Sequence, residues 1–399
     1  MTASPGRPRR ILIIVENLPV PFDRRVWQEA TTLRAAGYGV SVICPTRPGF
    51  ERFHEVLDGV HIYRHPLPVE ADTALGYVVE YGFALAAELC LALVVLARHG
   101  FDVIHACNPP DDIFLVGRFF KLFGKRFVFD HHDLNPELYE SKFGGRGRLY
   151  RVLAWLERRT FRAADMVIST NASYRAVAIE RGGVLPERVH VVRSGPSLER
   201  LKAVPPVAAW KRGRAFLVGY VGVMGKQEGL PILLEAAEHI VRGLGREDVQ
   251  FCLVGTGTEL EAMRALARAM GLADYVTFTG RAPDQVLLEV LNTADVCVNP
   301  DPKNPLNDKS TMNKIMEYMA LGKPIVQFDL TEGRVSAEDA SLYATPNDPV
   351  DLAAKIVRLL DDPEARARMG RRGQERIRTT LEWKYEAARL LDAYRALFA

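Results

Sequence analysis

The sequence has few cysteines, little net charge and no long apolar run, and each shortage excludes a class of protein. Its five cysteines are scattered along 399 residues without a Cys-x-x-Cys pair, which favours reduced thiols over a disulfide framework or a metal site. The formal net charge is only +3, so the overall charge gives no reason to expect nucleic acid as a partner. The sequence therefore predicts a cytoplasmic globular protein that does not bind nucleic acid.

Two segments raise the question of a membrane span or an export signal. The apolar stretch at residues 82–98 contains Glu88 and is shorter than the ~20 apolar residues that a span needs. It is instead predicted to form a buried crossover helix. The basic tail "MTASPGRPRR" leads directly into "ILIIVEN" without the apolar core and cleavage site of a signal peptide, which predicts a protein that is not secreted.

Short β-branched segments alternate with helix-length amphipathic segments in two series. The first series is ILIIVE, GVSVIC, VHIYRH, DVIHAC, RFVFDH, MVISTN and VHVVRS, and the second is FLVGYVG, VQFCLVG, VTFTG, VCVNP, PIVQFD and SLYAT. Such alternation predicts parallel strands joined by crossover helices. The predicted fold class is therefore α/β, with two tandem Rossmann-like doubly wound domains that face each other across a cleft.

The predicted domains follow from this alternation and from the chain length, which suits two domains. The first is residues 1–200, the second is residues 201–380, and residues 381–399 form a helix that packs back towards the first domain. Residues 196–215 are rich in proline and charge, which predicts a linker. In folds of this kind ligands bind at the carboxyl ends of the strands.

Four polar residues with helical spacing are predicted to share one face of a helix in the second domain: Ser310, Asn313, Lys314 and Glu317. With Asn307 or Asp308 as N-cap, the N–H groups near Ser310, Thr311 and Met312 would lie in the first turn, which favours a phosphate. Glu317 would then lie about two turns further on, beside hydroxyls such as those of a ribose. The alternative is a solvated helix face.

Two glycine-bearing loops follow strands of the second domain. The first contains Gly222 and Gly225 next to Lys226, and the second contains Gly255 and Gly257. Glycines allow backbone N–H groups to approach an anion closely, and a lysine adds a positive charge. The second loop lacks the third glycine of a dinucleotide fingerprint. Both loops are predicted to contact the same phosphate-bearing ligand.

In the first domain, "FDHHDLNPE" at residues 129–137 concentrates histidines and carboxylates. A metal site is the alternative here, because these are metal ligands. Strand alternation sends Asp130 and His132 to one side and His131 and Asp133 to the other. Because that geometry divides the possible ligands, no metal site is predicted.

The loop after the first strand carries Asn17, Arg24 and Arg25. It opens at the carboxyl edge of the sheet, where either arginine could reach a donor phosphate or an acceptor. The alternative is that Asp23 caps a helix and that both arginines are solvated.

Several of these segments resemble one family of enzymes. "EYMALGKPIV" at residues 317–326, "GYGVSVIC" at residues 37–44 and "FVFDHHDL" at residues 127–134 resemble GT-B glycosyltransferases of family 4, the group 1 glycosyltransferases. The resemblance implies that a sugar is transferred from a nucleotide diphosphate donor with retention of anomeric configuration. It also implies that no metal or other cofactor is required, with the donor in the second domain and the acceptor in the first.

The resemblance also implies roles for individual residues. His132 matches the histidine beside the transferred sugar, and the predicted catalytic residues are His132, Glu317 and Lys226. The nucleotide-sugar site is predicted to comprise Gly222, Gly225, Lys226, Gly255, Gly257, Lys309, Ser310, Thr311, Met312, Asn313, Lys314 and Glu317. The predicted acceptor or cleft residues are Asn17, Arg24, Arg25, His131 and Asp133.

Three positions depart from the family pattern. Lys309 stands where a glutamate is common, and Val223 and Glu228 stand where an arginine and a lysine are common. The diphosphate charge is therefore predicted to be met by Lys226, Lys314 and the helix N-terminus, with Lys309 as a further candidate. These departures indicate either an altered donor preference or lost activity.

The expected function is transfer from a UDP-sugar, favoured over a GDP-sugar, to a saccharide, glycoconjugate or lipid-linked acceptor in polysaccharide or cell-envelope biosynthesis. The alternatives are a catalytically silent nucleotide-sugar binder and, ranked lower, a nucleotide-sugar epimerase. Residues 144–162 are rich in arginine and apolar residues. They predict a helix that either contacts an anionic membrane, on the inner face of the plasma membrane, or packs on the sheet.

Overall fold

The computed structural model describes residues 7–67 and 74–399. The first six residues, which hold most of the predicted basic tail, lie outside the described residues. The chain divides into two compact units. Unit 1 comprises Met1–Ser194 and Glu386–Ala399, and unit 2 comprises Gly195–Tyr385.

Unit 1 is built on an eight-stranded sheet with the order β3-β4-β2-β1-β5-β6-β7-β8. Its strands are β1 Arg10–Ile14, β2 Gly39–Pro45, β3 His54–Leu57, β4 Val60–His65, β5 Val103–Cys107, β6 Arg126–His131, β7 Met166–Ser169 and β8 Val189–Val191. All seven predicted strands are confirmed. The sequence did not predict β3, which forms the edge of the sheet and pairs antiparallel with β4.

The helices of unit 1 that precede residue 195 cover the two faces of this sheet. They are α1 Arg24–Ala35, α2 Ala74–Arg98, α3 Phe114–Lys121, α4 Asn135–Phe143, α5 Arg148–Ala163 and α6 Ala172–Glu180. The predicted crossover helix is the second part of α2, where Leu91, Ala92 and Val95 pack into the core and Glu88 is fully buried. Among the described residues, no helix is both long enough and apolar enough to cross a membrane.

Unit 2 is built on a six-stranded, fully parallel sheet with the order β11-β10-β9-β12-β13-β14. Its strands are β9 Phe216–Val221, β10 Val249–Val254, β11 Val276–Gly280, β12 Val296–Asn299, β13 Ile325–Phe328 and β14 Ser341–Ala344, and all were predicted. Its helices are α7 Leu230–Glu238, α8 Leu260–Ala269, α9 Asp284–Thr293, α10 Asn313–Ala320, α11 Thr331–Ala337, α12 Pro349–Asp361 and α13 Pro363–Arg376. The chain runs outward from β9 to β11 and then returns to β12, so the strand order reverses between β9 and β12.

The predicted linker at residues 196–215 is a packed part of unit 2, so that interpretation was wrong. Leu201 is buried, and Leu198 and Trp210 pack against the same core cluster. Trp210 lies in a short 3-10 helix, Ala208–Lys211. These apolar side chains anchor the irregular segment on unit 2 while most of its other residues stay exposed, and the proline and charge content concealed this anchoring.

The last helix, α14 Trp383–Phe398, belongs to unit 1 from Glu386 onward. The backbone N–H of Arg193 donates to Oε2 of Glu386 at 2.9 Å, and the hydroxyl of Tyr394 lies 2.7 Å from Nδ1 of His105 on β5. Leu390 and Tyr394 are fully buried. The C-terminal residues thus form part of the core of unit 1.

Candidate active site

A buried lysine of unit 2 lies where the strand order reverses. Lys314 is in the first turn of α10, and its Nζ is 2.6 Å from Oε2 of Glu228 and 3.1 Å from Oδ1 of Asp301. Glu228 lies in the loop after β9, and Asp301 lies in the loop after β12. Ligands of open α/β sheets bind at this kind of switch point, outside the carboxyl ends of the strands.

Burial and charge determine the protonation of this cluster. Burial opposes the charge of Lys314, but Asp301 and Glu228 raise its pKa well above the ordinary value. Burial raises the pKa of Asp301 to about 7, and the neighbouring Lys314 counteracts only part of that rise. Lys314 is therefore a cation whose charge is already shared with two acidic side chains, so it does not present an unpaired charge to a ligand.

Two tyrosines fix the position of the cluster. The hydroxyl of Tyr318 on α10 accepts from the backbone N–H of Val221 at 2.9 Å and donates to the carbonyl of Val298 at 3.2 Å. This joins the helix to the ends of both central strands. The hydroxyl of Tyr220 donates to Oε2 of Glu228 at 3.1 Å, and Nζ of Lys314 lies 4.9 Å from the ring centroid of Tyr220.

The helix itself begins later than the sequence predicted. Met312 occupies the N-cap position of α10 and makes no side-chain cap bond, so the prediction that Asn307 or Asp308 caps this helix was wrong. Residues 310–312 precede the helix, and only Asn313, Lys314 and Glu317 of the predicted polar face belong to it. The first turn has no capping side chain. The backbone N–H of Ile315 donates to the carbonyl of Met312 at 3.1 Å, so the N–H groups of Asn313 and Lys314 are the ones suited to an anion.

Asn307 and Asp308 instead tie loops together. Nδ2 of Asn307 donates at 2.9 Å to the carbonyl of Gln227 in the loop after β9. Oδ1 of Asp308 accepts from the backbone N–H of Thr331 at 2.9 Å. These long-range bonds explain why neither side chain is available as a cap. Ser310 is held similarly, because its hydroxyl donates to the carbonyl of Leu306 at 2.8 Å.

The glycines of the two loops are needed for close packing between them. A Cβ on Gly255, where φ is +143°, would lie 1.9 Å from the carbonyl oxygen of Gly222. A Cβ on Gly257 would lie 2.4 Å from the carbonyl oxygen of Met224. Any larger residue would therefore separate the loop after β10 from the loop after β9. Contact of these glycines with phosphate stays a prediction.

The other predicted nucleotide-sugar residues of unit 2 lie in the loop after β9 and at or just before the start of α10. Lys226 is exposed and forms no ion pair within the described part of the chain. Lys309 and Thr311 are half-buried, and Asn313 is exposed. Gly225 directly precedes Lys226 in the same loop and is buried. Lys226 is thus the exposed cation next to the buried Lys314 cluster, on the loop after β9.

Glu317 lies on α10, one turn after Lys314. Its Oε1 accepts a very short bond from Nη2 of Arg200, and Nη1 of Arg200 lies 3.2 Å from Oδ1 of Asp284. The side chain of Glu317 is 13% exposed. The predicted ribose-binding carboxylate is therefore accessible on one side and paired with an arginine that the sequence did not point to.

In unit 1, Asp130 is the centre of a buried polar cluster at the end of β6. Its Oδ1 is 2.9 Å from Nη2 of Arg25, and its Oδ2 is 2.6 Å from Nε2 of His132 and 3.2 Å from Nε2 of His105. Glu29 lies 3.0 Å from the same Arg25 nitrogen. The predicted strand alternation is confirmed, because Asp130 and His132 meet on one side.

The protonation of Asp130 determines the tautomer of His132. Burial alone would raise the pKa of Asp130, but the charges of Arg25 and His132 hold it well below the ordinary value. An ionised Asp130 can only accept, so Nε2 of His132 carries the proton and donates to it. Nε of Arg25, 2.9 Å from that same Nε2, must direct its proton to Asp130 instead.

One predicted cleft residue of unit 1, His131, lies elsewhere than expected. His131 is fully buried among Phe129, Phe161 and Tyr174, so it does not reach a cleft surface. It alternates with His132 along the strand, and its side chain therefore enters the core. Asp133 is half-buried, and burial raises its pKa.

The two arginines after the first strand differ in exposure: Arg24 is exposed, as the solvated alternative predicted, whereas Arg25 is buried. Asp23 caps α1, as its Oδ1 accepts from the backbone N–H of Val26 at 3.0 Å. Arg24 and Asn17 are exposed. Arg25 is only 8% exposed and forms ion pairs with Asp130 and Glu29, so the alternative prediction that Arg25 is solvated was wrong. Arg25 holds the Asp130 cluster together.

Sequence reasoning missed one asparagine that shapes this loop. Oδ1 of Asn108 accepts from the backbone N–H groups of His132 at 2.7 Å and Asp133 at 3.1 Å, and its Nδ2 donates to Asp111 at 2.9 Å. The signal that could have found it is its position, directly after β5 and before two prolines. The same signal applies to Asp301, which follows β12 and a proline.

Two family models match the chain, one in each unit. Residues 23–195 match the glycosyl transferase 4-like domain, and residues 215–362 match the domain described as glycosyl transferases group 1. The chain belongs to the group 1 glycosyltransferases. The predicted family resemblance is therefore confirmed.

A curated relative in this family is the D-inositol 3-phosphate glycosyltransferase of Thermomonospora curvata. It is 28% identical over 260 residues, which are 60% of this chain and 58% of that protein. This group 1 chain thus spans less than two thirds of the length of that relative.

Two solved structures show the GT-B fold of the chain. Sucrose-phosphate synthase from Thermosynechococcus elongatus has a TM-score of 0.80 at 22% identity and covers 98% of this chain and 99% of its own. Anabaena Alr3699/HepE in complex with UDP-glucose has a TM-score of 0.73 at 17% identity and covers 97% of this chain and 99% of its own. At these identities the likeness establishes the fold: two α/β units with parallel sheets, as in GT-B glycosyltransferases.

Proposed function

We propose that this protein is a retaining glycosyltransferase that uses a UDP-sugar in preference to a GDP-sugar. Its acceptor is a saccharide, glycoconjugate or lipid-linked molecule in polysaccharide or cell-envelope biosynthesis. The observation that carries the proposal is the placement of Lys314 and Glu317 on one helix that starts, uncapped, at the switch point of unit 2. The UDP-glucose complex of the Anabaena protein supports the choice of donor.

The diphosphate would bind at the N-terminus of α10. Its N–H groups carry the positive end of the helix dipole, and Lys226 and Lys309 supply positive charge nearby. Lys314 contributes only if the phosphate shares it with Glu228, which now lies 2.6 Å from its Nζ. The proposed site thus contains an internal anion that competes with the donor for one cation.

The ribose would bind beside Glu317. Glu317 lies three positions after Lys314 on the helix, which is a rise of about 4.5 Å. A carboxylate can accept two hydrogen bonds from neighbouring hydroxyls. The bond from Arg200 holds Glu317 in place, and the side chain of Glu317 stays 13% exposed.

Unit 1 would supply His132 and bind the acceptor. Asp130 fixes the orientation of His132 through the 2.6 Å contact with its Nε2, so that the ring can respond to charge that develops on the transferred sugar. We propose that no metal is required. Glu29, Asp130 and His132 have the ligand atoms for one, but the guanidinium of Arg25 is bonded to the same carboxylates and would repel a dication.

A lipid-linked acceptor, with the protein peripheral on the inner face of the plasma membrane, is supported by the surface of α5. Phe161 on its inner side is buried, whereas Val152 and Trp155 are about half exposed at 48% and 51%. Arg159 stacks over Trp155 with 5.1 Å between its Cζ and the ring centroid. The helix therefore packs on unit 1 with one side and presents arginines and apolar side chains on the other.

Flotation with anionic vesicles at low and high salt tests this, and Trp155→Ala should reduce binding of the protein to the vesicles. Absence of binding at low salt would remove the lipid-linked version of the proposal.

A second candidate, the silent nucleotide-sugar binder, is favoured by the pairing of Lys314 with two acids. A panel of UDP- and GDP-sugars separates the candidates, with nucleotide release, sugar identity and binding measured on the same samples. Slow release that is lost in His132→Ala supports the transferase, and binding without release supports the silent binder. Recovery of an altered nucleotide sugar would indicate the epimerase, and the absence of both binding and release would refute the proposal.

A further inference from the structure

Three histidines of unit 1 form a cluster far along the sheet from the Asp130 site, at the edge that β3 closes. His54 on β3, His61 on β4 and His99 directly after α2 each offer one ring nitrogen, and these three nitrogens lie within 4.8 Å of one another. The His61 and His99 rings have centroids 4.0 Å apart, and those of His54 and His61 are 5.8 Å apart. The cluster combines three elements that are distant in sequence.

The strand register explains why the histidines converge. His54 is directly opposite Tyr63 in the antiparallel β3–β4 pair, and Tyr63 is two residues from His61, so all three side chains share one face. The C-terminal end of α2 lies on that face and brings His99 to it.

The hydrogen bonds of the cluster leave ring nitrogens available. Nε2 of His99 lies 2.8 Å from the hydroxyl of Tyr63, which fixes that ring and leaves Nδ1 for another partner. Nδ1 of His61 is buried and has no hydrogen-bond partner among the described residues. A hydrogen bond from the second nitrogen of a histidine is the usual support of a metal ligand.

The charges around the cluster act in opposite directions on a bound cation. Arg34 lies near His61, and Arg98 and Arg10 lie near His99, so these arginines oppose a dication. The end of the 25-residue helix α2 favours one through its C-terminal dipole.

We propose that His54, His61 and His99 bind a divalent transition-metal ion of the Zn²⁺ type. Three imidazoles and a water would complete a tetrahedral site. Nitrogens that bind one Zn²⁺ at 2.0–2.1 Å are about 3.4 Å apart, so the rings close by roughly 1 Å through side-chain rotation when the ion enters. The ion would connect the edge hairpin β3–β4 to the end of α2.

The test uses the full-length protein after dialysis against a chelator, with ZnCl₂ binding followed by calorimetry and CoCl₂ binding by visible absorption. The expected result is one ion per chain, with the intense absorption of tetrahedral Co²⁺. His54→Ala is the principal variant, because this side chain is exposed and its loss does not disturb the core. It should weaken Zn²⁺ binding by about 10-fold or more, since loss of an outer-shell partner alone costs 10–100-fold.

His190→Ala is the matched control, because it removes a half-buried imidazole from β8 at the opposite edge of the same sheet and should leave binding unchanged. Hydrogen exchange provides a readout independent of activity. Zn²⁺ should slow exchange in residues 54–65 of wild type and have no such effect in His54→Ala. Binding of no ion, or equal binding by wild type and His54→Ala, would overturn the proposal.

Discussion

Replacing Glu228 by glutamine should strengthen binding of UDP. The substitution removes the negative charge that lies 2.6 Å from Nζ of Lys314 and changes the shape of the side chain little. The hydrogen bond from Tyr220 can still be accepted by the amide oxygen. Lys314 keeps Asp301 as a partner at 3.1 Å, so its charge does not become unpaired in the unliganded protein.

The structure sets the size of the effect. A phosphate oxygen that accepts a hydrogen bond from Nζ of Lys314 at about 2.8 Å lies about 5 Å from Oε2 of Glu228, on the far side of the ammonium group. Two unit charges at about 5 Å repel each other by about 1–3 kcal/mol for effective dielectric constants between about 80 and 20. The dissociation constant for UDP should therefore fall by a factor of about 5 to 150.

Isothermal titration of UDP into the full-length protein at constant ionic strength measures this change. Glu235→Gln is the control, because it removes an equal charge from an exposed position on α7 and should leave the affinity unchanged. Weaker binding by Glu228→Gln would refute the reasoning, since it would mean that Glu228 itself contacts the nucleotide. Equal affinities of both variants and wild type would place the phosphates away from Lys314.

Three further predictions concern stability. Burial raises the pKa of Asp301 from its ordinary 3.8 to about 7, so wild type loses stability as the pH rises to about 7. The melting temperature of Asp301→Asn, taken relative to that of wild type, should therefore be higher at pH 8 than at pH 5.5. An equal difference at both pH values would contradict this. Asp130→Asn leaves the buried Arg25 without its closest carboxylate, which should cost about 3–5 kcal/mol in urea unfolding; a cost below about 1 kcal/mol would contradict the ion pair. Gly229→Ala brings a Cβ to 2.0 Å from a carbonyl oxygen and should destabilise more than the control Gly245→Ala, which has the same backbone conformation and open space; equal costs would show that only φ matters.

The sequence predicted the strands well because a buried parallel strand is encoded locally. Each such strand is a short β-branched run between helical segments, and neighbours along the chain are neighbours in space. The strand β3 was not predicted because "HEVL" is a short, partly exposed edge segment without periodic apolar residues. The packing of residues 196–215 was not predicted because their prolines indicate irregular backbone, and irregular backbone can still be anchored to a core by apolar side chains such as Leu201.

Less of the candidate site than of the fold could be predicted from the sequence. The loops that form it were predictable, because they follow the carboxyl ends of strands, and the order of the strands fixes which loops are adjacent. The partners of each charge were not. Lys314 is 86 residues from Glu228 and Glu317 is 117 residues from Arg200, and no periodicity links positions that far apart. A sequence pattern can place an ionisable group at a site, but only the fold decides whether that charge is already neutralised.

The departures from the family pattern acquire a common explanation from these pairings. Where the family commonly has a lysine in the loop after β9 this chain has Glu228, and where it commonly has a glutamate before α10 this chain has Lys309. The replacements at Glu228 and Lys309 are opposite in sign and cancel, but Val223 also lacks a positive charge. The site therefore has one positive charge fewer than the family pattern, and part of its positive charge moves from the loop after β9 to the segment before α10. Because Glu228 pairs with Lys314 inside the cluster, the exchange repositions the cation rather than removing it. A shift of this kind changes where a diphosphate and its sugar are held, which favours an altered donor geometry over simple loss of binding.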